Sequence, residues 1–197
     1  MIRKQSTLFP EIETRVLAEL DLEEAEKLAN EIKAAVEAHC DKIEIVGSIR
    51  RKKPKVHDID FVAIAKNDVE WQKINEQLKH LKAKPNCAGS SLIKAYVPCP
   101  NGLFQVDFYR AKPSTYGIHL VIRTGSAEHN MWLAAVAISK GMRLKYSEGL
   151  IKEDQAIAGA VEAGVFTALG LPYSSPSDRE IADGKPSWML PQDRQHL

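Results

Sequence analysis

His57-Asp58-Ile59-Asp60-Phe61-Val62-Ala63-Ile64-Ala65, residues 57–65, is the stretch whose reading decides the fold. Acidic and apolar residues alternate at its start. Period-two alternation marks a β-strand, in which successive side chains point to opposite faces. Asp58 and Asp60 then share one face while Ile59 and Phe61 point into a core. Residues 42–47 (K-I-E-I-V-G) read as a preceding strand, joined to this one through a basic turn. Residues 91–97 and 103–109 read as two further strands around Pro100-Asn101-Gly102, a turn suited to a hairpin. Asp107 lies on the last of them between Val106 and Phe108, so alternation sends its carboxylate to the face opposite the core.

Helical periods flank these strands. Asp21 followed by Glu24 forms a capping box, and Leu22, Ala25, Leu28, Ala29, Ile32 and Val36 keep a core-facing stripe to about His39. Asn67 and Asp68 cap a second helix carrying Trp71, Ile74, Leu78 and Leu81 on one side. From Ser114 the pattern is helical again, and Thr124-Gly125-Ser126 caps a helix reaching Lys140. A short hairpin over residues 143–151 and a helix ending at Leu169-Gly170 follow. Residues 171–197, with Pro172, Pro176, Pro186 and Pro191, are expected to wrap the surface. The expected class is α+β. A mixed sheet backed by helices spans residues 1–112, and a smaller α/β unit with a C-terminal tail spans 113–197.

Composition narrows the field without naming a function. Of 197 residues, 44% are hydrophobic and 27% charged, which excludes disordered and fibrous classes. Lys and Arg number 27 against 26 Asp and Glu, so any nucleic-acid surface must come from local clustering. Arg50, Arg51, Lys52, Lys53 and Lys55 form one cluster, and Lys140, Arg143, Lys145 and Lys152 a looser one. A charge run by itself is a solvated face. Cys40, Cys87 and Cys99 match no metal-ligand spacing and read as reduced thiols. No apolar run approaches the roughly 20 residues that span a bilayer, and the first residues lack a signal-peptide pattern. A cytoplasmic protein with no membrane association is expected.

The acids carry the chemistry. Carboxylates two apart on one strand face repel each other and are tolerated where a divalent cation lies between them, because hard oxygen ligands suit Mg²⁺. With Asp107 converging, three acids provide the ligands for two ions about 3.5–4 Å apart. A D-x-D by itself describes two solvated acids. Here Gly47-Ser48 ends the preceding strand and is followed by Arg50 and Arg51. Backbone N–H groups, a hydroxyl and two guanidinium groups at a small-residue turn can cradle phosphates.

V-G-S-I-R-R (residues 46–51), D-I-D (58–60) and V-D-F (106–108) together resemble the palm of family X DNA polymerases. Thr124-Gly125-Ser126 with Asn130 resembles the T-G-S-x-x-x-N segment of those enzymes, and residues 168–173 with Asp178-Arg179-Glu180 resemble the end of their thumb. The resemblance runs from about Asp21 to Glu180. It implies that Asp58, Asp60 and Asp107 are catalytic ligands of two Mg²⁺ ions, with Mn²⁺ as an alternative. It also implies that Gly47, Ser48, Arg51, His57, Thr124, Gly125, Ser126 and Asn130 contact the incoming nucleotide, and that Gly125-Ser126 carries a cis peptide bond. Lys140, Arg143 and Lys145 would contact DNA.

The implied reaction is attack of a DNA 3′-hydroxyl on a nucleoside triphosphate with loss of pyrophosphate, on primer-template, gaps or ends, by a monomer. Rival expectations are transfer to an RNA end, a protein or a small molecule, and a catalytically silent DNA-end binding module. The chain departs from the family pattern in places. Ile122 and Arg123 replace the aromatic pair that limits the sugar to deoxyribose, and His57 replaces a glycine beside the phosphates. Ala127, Ala134 and Gln105 replace residues associated with base stacking, template positioning and the third aspartate. Weak sugar selection and low fidelity are expected. The stretch covered leaves no room for the amino-terminal lyase and hairpin domains of larger members, so lyase activity is not expected.

Overall fold

A computed structural model describes residues 18–100 and 102–180. The elements in chain order are β1 (Leu20–Asp21), α1 (Leu22–Val36), β2 (Cys40–Ile45), α2 (Gly47–Arg50), β3 (Lys55–Val56), β4 (Asp58–Ala65), α3 (Asp68–His80), β5 (Lys84–Ala88), β6 (Leu92–Cys99) and β7 (Gly102–Arg110). They continue as α4 (Tyr116–Thr124), α5 (Ala127–Ser139), β8 (Met142–Lys145), β9 (Gly149–Lys152), β10 (Gln155–Ala158) and α6 (Glu162–Ala168).

Strand alternation builds the main sheet, ordered β2-β4-β7-β6-β5. Only β4 and β7 pair in parallel. Ile59, Phe61, Val106 and Phe108 are fully buried and pack with Ile32 and Val36 of α1 and Trp71, Ile74 and Leu78 of α3. Each such side chain contributes about 1.5–3 kcal/mol by leaving water. Phe61 and Phe108, opposite each other in register, stack with centroids 4.5 Å apart and lock β4 against β7. The other face of the sheet carries the acids, and beyond them Val62 and Ile64 pack against Leu120 of α4.

A second core joins Ile118 and Val121 of α4, Leu133 and Ala137 of α5, Leu150 of β9, and Val165 and Phe166 of α6. Helix α4 thus packs on the acid-bearing sheet face through Leu120 and in the second core through Ile118 and Val121. Gly117 permits this, since a Cβ there would overlap the backbone at Val161 and Glu162. The architecture is α+β, with a mixed sheet backed by helices followed by a small α/β unit.

Several local expectations need correction. Asp21 does occupy the N-cap of α1, but its side chain makes no capping bond. Its carboxylate binds Lys55 Nζ at 2.8 Å instead, so an ion pair displaces the local bond. At α3, by contrast, Asn67 accepts from the Glu70 amide as a cap should. The basic turn after β2 contains a helical turn, α2, entered through Gly47 at φ +64. Strands β5 and β10 had no counterpart in the sequence reading. The turn at Asn101 and the tail beyond Glu180, with Trp188 and its prolines, lie outside the described residues.

Candidate active site

Register places the acids. Asp60 on β4 lies opposite Asp107 on β7, which in turn lies opposite Lys94 on β6. One row across three strands therefore reads Asp60, Asp107, Lys94. Asp58, two residues before Asp60, shares its face. Asp58 and Asp60 are partly exposed, whereas Asp107 is only 3% exposed.

That burial was not expected, and its cause is a ring of polar neighbours. Lys94 Nζ lies 3.1 Å from Asp107 Oδ2, and the Tyr109 hydroxyl and Gln105 amide donate to the same oxygen at 3.2 and 3.3 Å. Asp107 Oδ1 is buried with no hydrogen-bond partner. Burial, then repulsion from Asp58 and Asp107, pushes the Asp60 carboxyl up to about 7. Burial and Asp107 also raise Asp58. A carboxyl raised by neighbouring carboxylates gains when a cation binds beside it.

Among the described residues no three His, Cys, Asp or Glu side chains cluster tightly enough to hold a metal ion as they stand. The donor chemistry nevertheless fits hard divalent ions. Three carboxylates face one side, one carrying an orphaned buried oxygen, and Lys94 places a positive charge on the other oxygen of the same carboxylate.

Helix α2 closes the site from above. The Val46 amide donates to the Asp60 carbonyl at 2.8 Å, which sets Gly47 directly over the Asp60 carboxylate. A Cβ at Gly47 would overlap Asp60 Oδ2, and its φ of +64 independently favours glycine. The Ser48 hydroxyl is buried without a hydrogen-bond partner.

The V-G-S-I-R-R and T-G-S segments meet. Arg50 Nη1 donates to Thr124 Oγ1 at 2.8 Å, and Arg51 Nη1 donates to the Thr124 carbonyl at 2.7 Å. Arg50 also forms a bidentate pair with Glu162, at 2.7 and 2.8 Å, and Glu162 takes a further bond of 2.6 Å from the fully buried Arg179. Ser126 caps α5 by accepting from the His129 amide, while the Asn130 amide donates to the carbonyls of Ile122 and Gly125. These residues hold the turn between α4 and α5 in shape. Every described peptide bond is trans, Gly125-Ser126 included, contrary to what the resemblance implied.

Other expected contacts are placed less favourably. His57 is exposed and lies 3.0 Å from Glu19. The basic run is largely neutralised: Arg50 pairs with Glu162, Arg51 and Lys53 with Glu180, Lys52 with Glu26, and Lys55 with Asp21. Arg143 pairs with Asp154 and Lys145 with Glu148, and Lys140 lies close to Gly170. Arg123 does not stand at a free sugar wall. Its guanidinium stacks on the Tyr109 ring, 3.6 Å from the centroid.

Lys94, Tyr109 and Glu162 were missed from sequence, and Arg179 was read only within the segment resembling the end of the thumb. Lys94 alone was within reach, because a hairpin centred near Pro100 sets residue 94 opposite 107.

Comparisons agree with this architecture. The DNA polymerase beta thumb family matches residues 119–180. DNA polymerase IV of Saccharomyces cerevisiae is 31% identical over 77 residues, which is 39% of this chain and 13% of that protein. Polymerase beta of Leishmania infantum, solved as a ternary P/T complex, superposes with a TM-score of 0.73 at 21% identity, covering 83% of this chain and 77% of that one. The ternary gap complex of the same protein gives 0.71 at 19% identity, covering 83% and 71%. The fold of the chain is thus polymerase beta-like. The family match over residues 119–180 and the shared fold agree with the resemblance read from the motifs. The match to the curated relative spans a small part of that protein's length.

Proposed function

We propose that the chain is a DNA polymerase-type nucleotidyltransferase that adds nucleotides to a DNA 3′-hydroxyl with release of pyrophosphate, in filling gaps or repairing ends. One observation carries the reading. Asp60 and Asp107 are register partners on the parallel β4–β7 pair, with Asp58 on the same face and Gly47 pressed over Asp60.

Asp58, Asp60 and Asp107 would hold two Mg²⁺ or Mn²⁺ ions, which lower the pKa of an attacking hydroxyl and neutralise a departing pyrophosphate. The remaining work falls to the chain itself. The unpartnered Ser48 hydroxyl and the α2 backbone receive phosphate oxygens. Arg51 turns from Glu180 to the triphosphate. Asn130, fixed by Ile122 and Gly125, borders the nucleotide. We assign residues 1–112 to the palm and 113–197 to the thumb, with DNA reached by Lys140, Arg143 and Lys145 of the thumb. The solved polymerase beta complexes with a ternary P/T and a ternary gap arrangement support DNA as the partner. No described helix is long and apolar enough to cross a membrane.

A silent DNA-end binding module is the second reading, favoured by Lys94 standing on Asp107 in the position of a cation. The deciding experiment uses a labelled primer, alone or over a one-nucleotide gap, with each dNTP and NTP. Metal-dependent extension supports the enzyme. DNA binding without extension under any metal supports the module.

A further inference from the structure

A cavity of about 270 Å³ lies outside the phosphate turn at Gly47-Ser48. It opens between the end of β7, the connection to α4, α4 itself, and Tyr146 and Ser147 of the β8–β9 hairpin. Three cations line it, Arg110, Lys112 and Arg123, and no carboxylate does. Arg110 is shared with the exposed Asp68, at 2.7 Å.

The floor of the cavity has unmet polar groups. His119 and Arg123, one helical turn apart on α4, both face it. His119 is 5% exposed, its Nδ1 has no partner, and its ring stands edge-on to Tyr146 at 5.9 Å. Arg123 Nε is likewise buried and unpartnered, because the stack on Tyr109 fixes the guanidinium without using that N–H. Buried polar groups are almost always satisfied, so two orphans in one cation-lined cavity mark a place for a polar ligand. Ser91 and Tyr146 add hydroxyl groups to the lining.

We propose that this cavity binds a single phosphate group, free or as the monoester of a mononucleotide, at a site distinct from the triphosphate turn. Arg123 donates through Nε from the floor, Lys112 contributes charge at the mouth, and His119 Nδ1 meets the protonated or hydroxyl oxygen of the ligand. Burial and the nearby Arg123 push the His119 pKa down to about 4, so the ring is neutral at pH 7 and its free nitrogen accepts. A hydrogen phosphate or a monoester bearing hydroxyls supplies the matching donor. The ring of Tyr146, half exposed beside the opening, would lie along an attached nucleoside.

The test uses the full chain, with the His119 ring and Arg123 Nε–H signals followed by NMR. Inorganic phosphate, adenosine monophosphate and adenosine are titrated separately at constant ionic strength with no divalent metal. Saturable shifts at both residues with phosphate and the monophosphate, but not adenosine, are expected. Lys112→Ala, an exposed change that leaves the core untouched, should weaken binding about tenfold. His119→Gln should do the same. Tighter binding of the monophosphate identifies the nucleotide as ligand, and equal binding identifies the phosphate alone. The proposal is overturned if the shifts appear only at Ser48 and Arg51, if sodium chloride reproduces them, if adenosine binds as well as its monophosphate, or if Lys112→Ala binds unchanged.

Discussion

Arg51 and Glu180, 129 positions apart, are held together by a bond of 2.6 Å from Nε to Oε2. The other Glu180 oxygen takes Lys53 at 2.7 Å, and the Arg51 Nη1 is committed to the Thr124 carbonyl. If Arg51 serves the triphosphate, it must exchange a carboxylate for a phosphate. Glu180→Gln should therefore lower KM for nucleotide several-fold, while Arg51→Ala should raise it about tenfold, the scale of a charge-assisted hydrogen bond. Steady-state kinetics on a gapped substrate checks both. Unchanged KM in both variants would leave Arg51 a structural strut.

Glu162 of α6 joins Arg50 of α2 to the buried Arg179. Burial opposes its charge, but the hydrogen bonds from Arg50 and Arg179 outweigh burial and hold its pKa below the usual 4.5. The stabilisation is therefore present above about pH 4.5 and is lost as pH falls through the depressed folded value. Glu162→Ala would strand the buried Arg179 and should cost about 3–5 kcal/mol at pH 7. Thermal unfolding of both proteins between pH 3 and 7 should show the gap narrowing toward acid. A pH-independent gap would refute the network.

Asp60 behaves in the opposite sense. Its folded pKa of about 7 exceeds its ordinary value, so the metal-free protein loses stability as pH rises between about 4 and 7. Asp60→Asn should stabilise the metal-free protein at pH 8, by on the order of a few kcal/mol, with little effect near pH 4. Denaturant unfolding in chelator measures this. A destabilised variant at pH 8 would show that the acids do not repel.

Discrimination against ribonucleotides should be weak. Ile122 is smaller than an aromatic residue, and Arg123 is drawn away onto Tyr109, so no ring crowds the sugar from this turn. A pocket that merely tolerates an extra hydroxyl rejects it by about a hundredfold or less. The ratio of kcat/KM for matched dNTP and NTP tests this, and a preference well above a thousandfold would contradict it.

The palm was legible where side-chain alternation is strong. Residues 58–65 and 103–109 announced β4 and β7 because one face is wholly buried. Strand β5 was not, since all five of its residues are exposed and Pro85 interrupts them. Pairing over long range was equally invisible. Arg50 read as one of two guanidinium groups beside the phosphate turn, yet its partner Glu162 lies 112 positions away. Asp107 was placed on the right face but not in its burial, which depends on Lys94 and Tyr109 folding over it.

The central claim is that Asp107 serves chemistry with Asp58 and Asp60. Asp107→Asn keeps the shape of the side chain, relieves the repulsion with Asp58 and Asp60 and gives up the ion pair with Lys94, so its folding is checked by thermal unfolding before activity is compared. Extension of a primer across a one-nucleotide gap, with Mg²⁺ and a matched dNTP, is the direct measurement. The account predicts a loss of about a thousandfold or more, equivalent to about 4 kcal/mol of transition-state stabilisation. Extension by folded Asp107→Asn at close to the parent rate would contradict it.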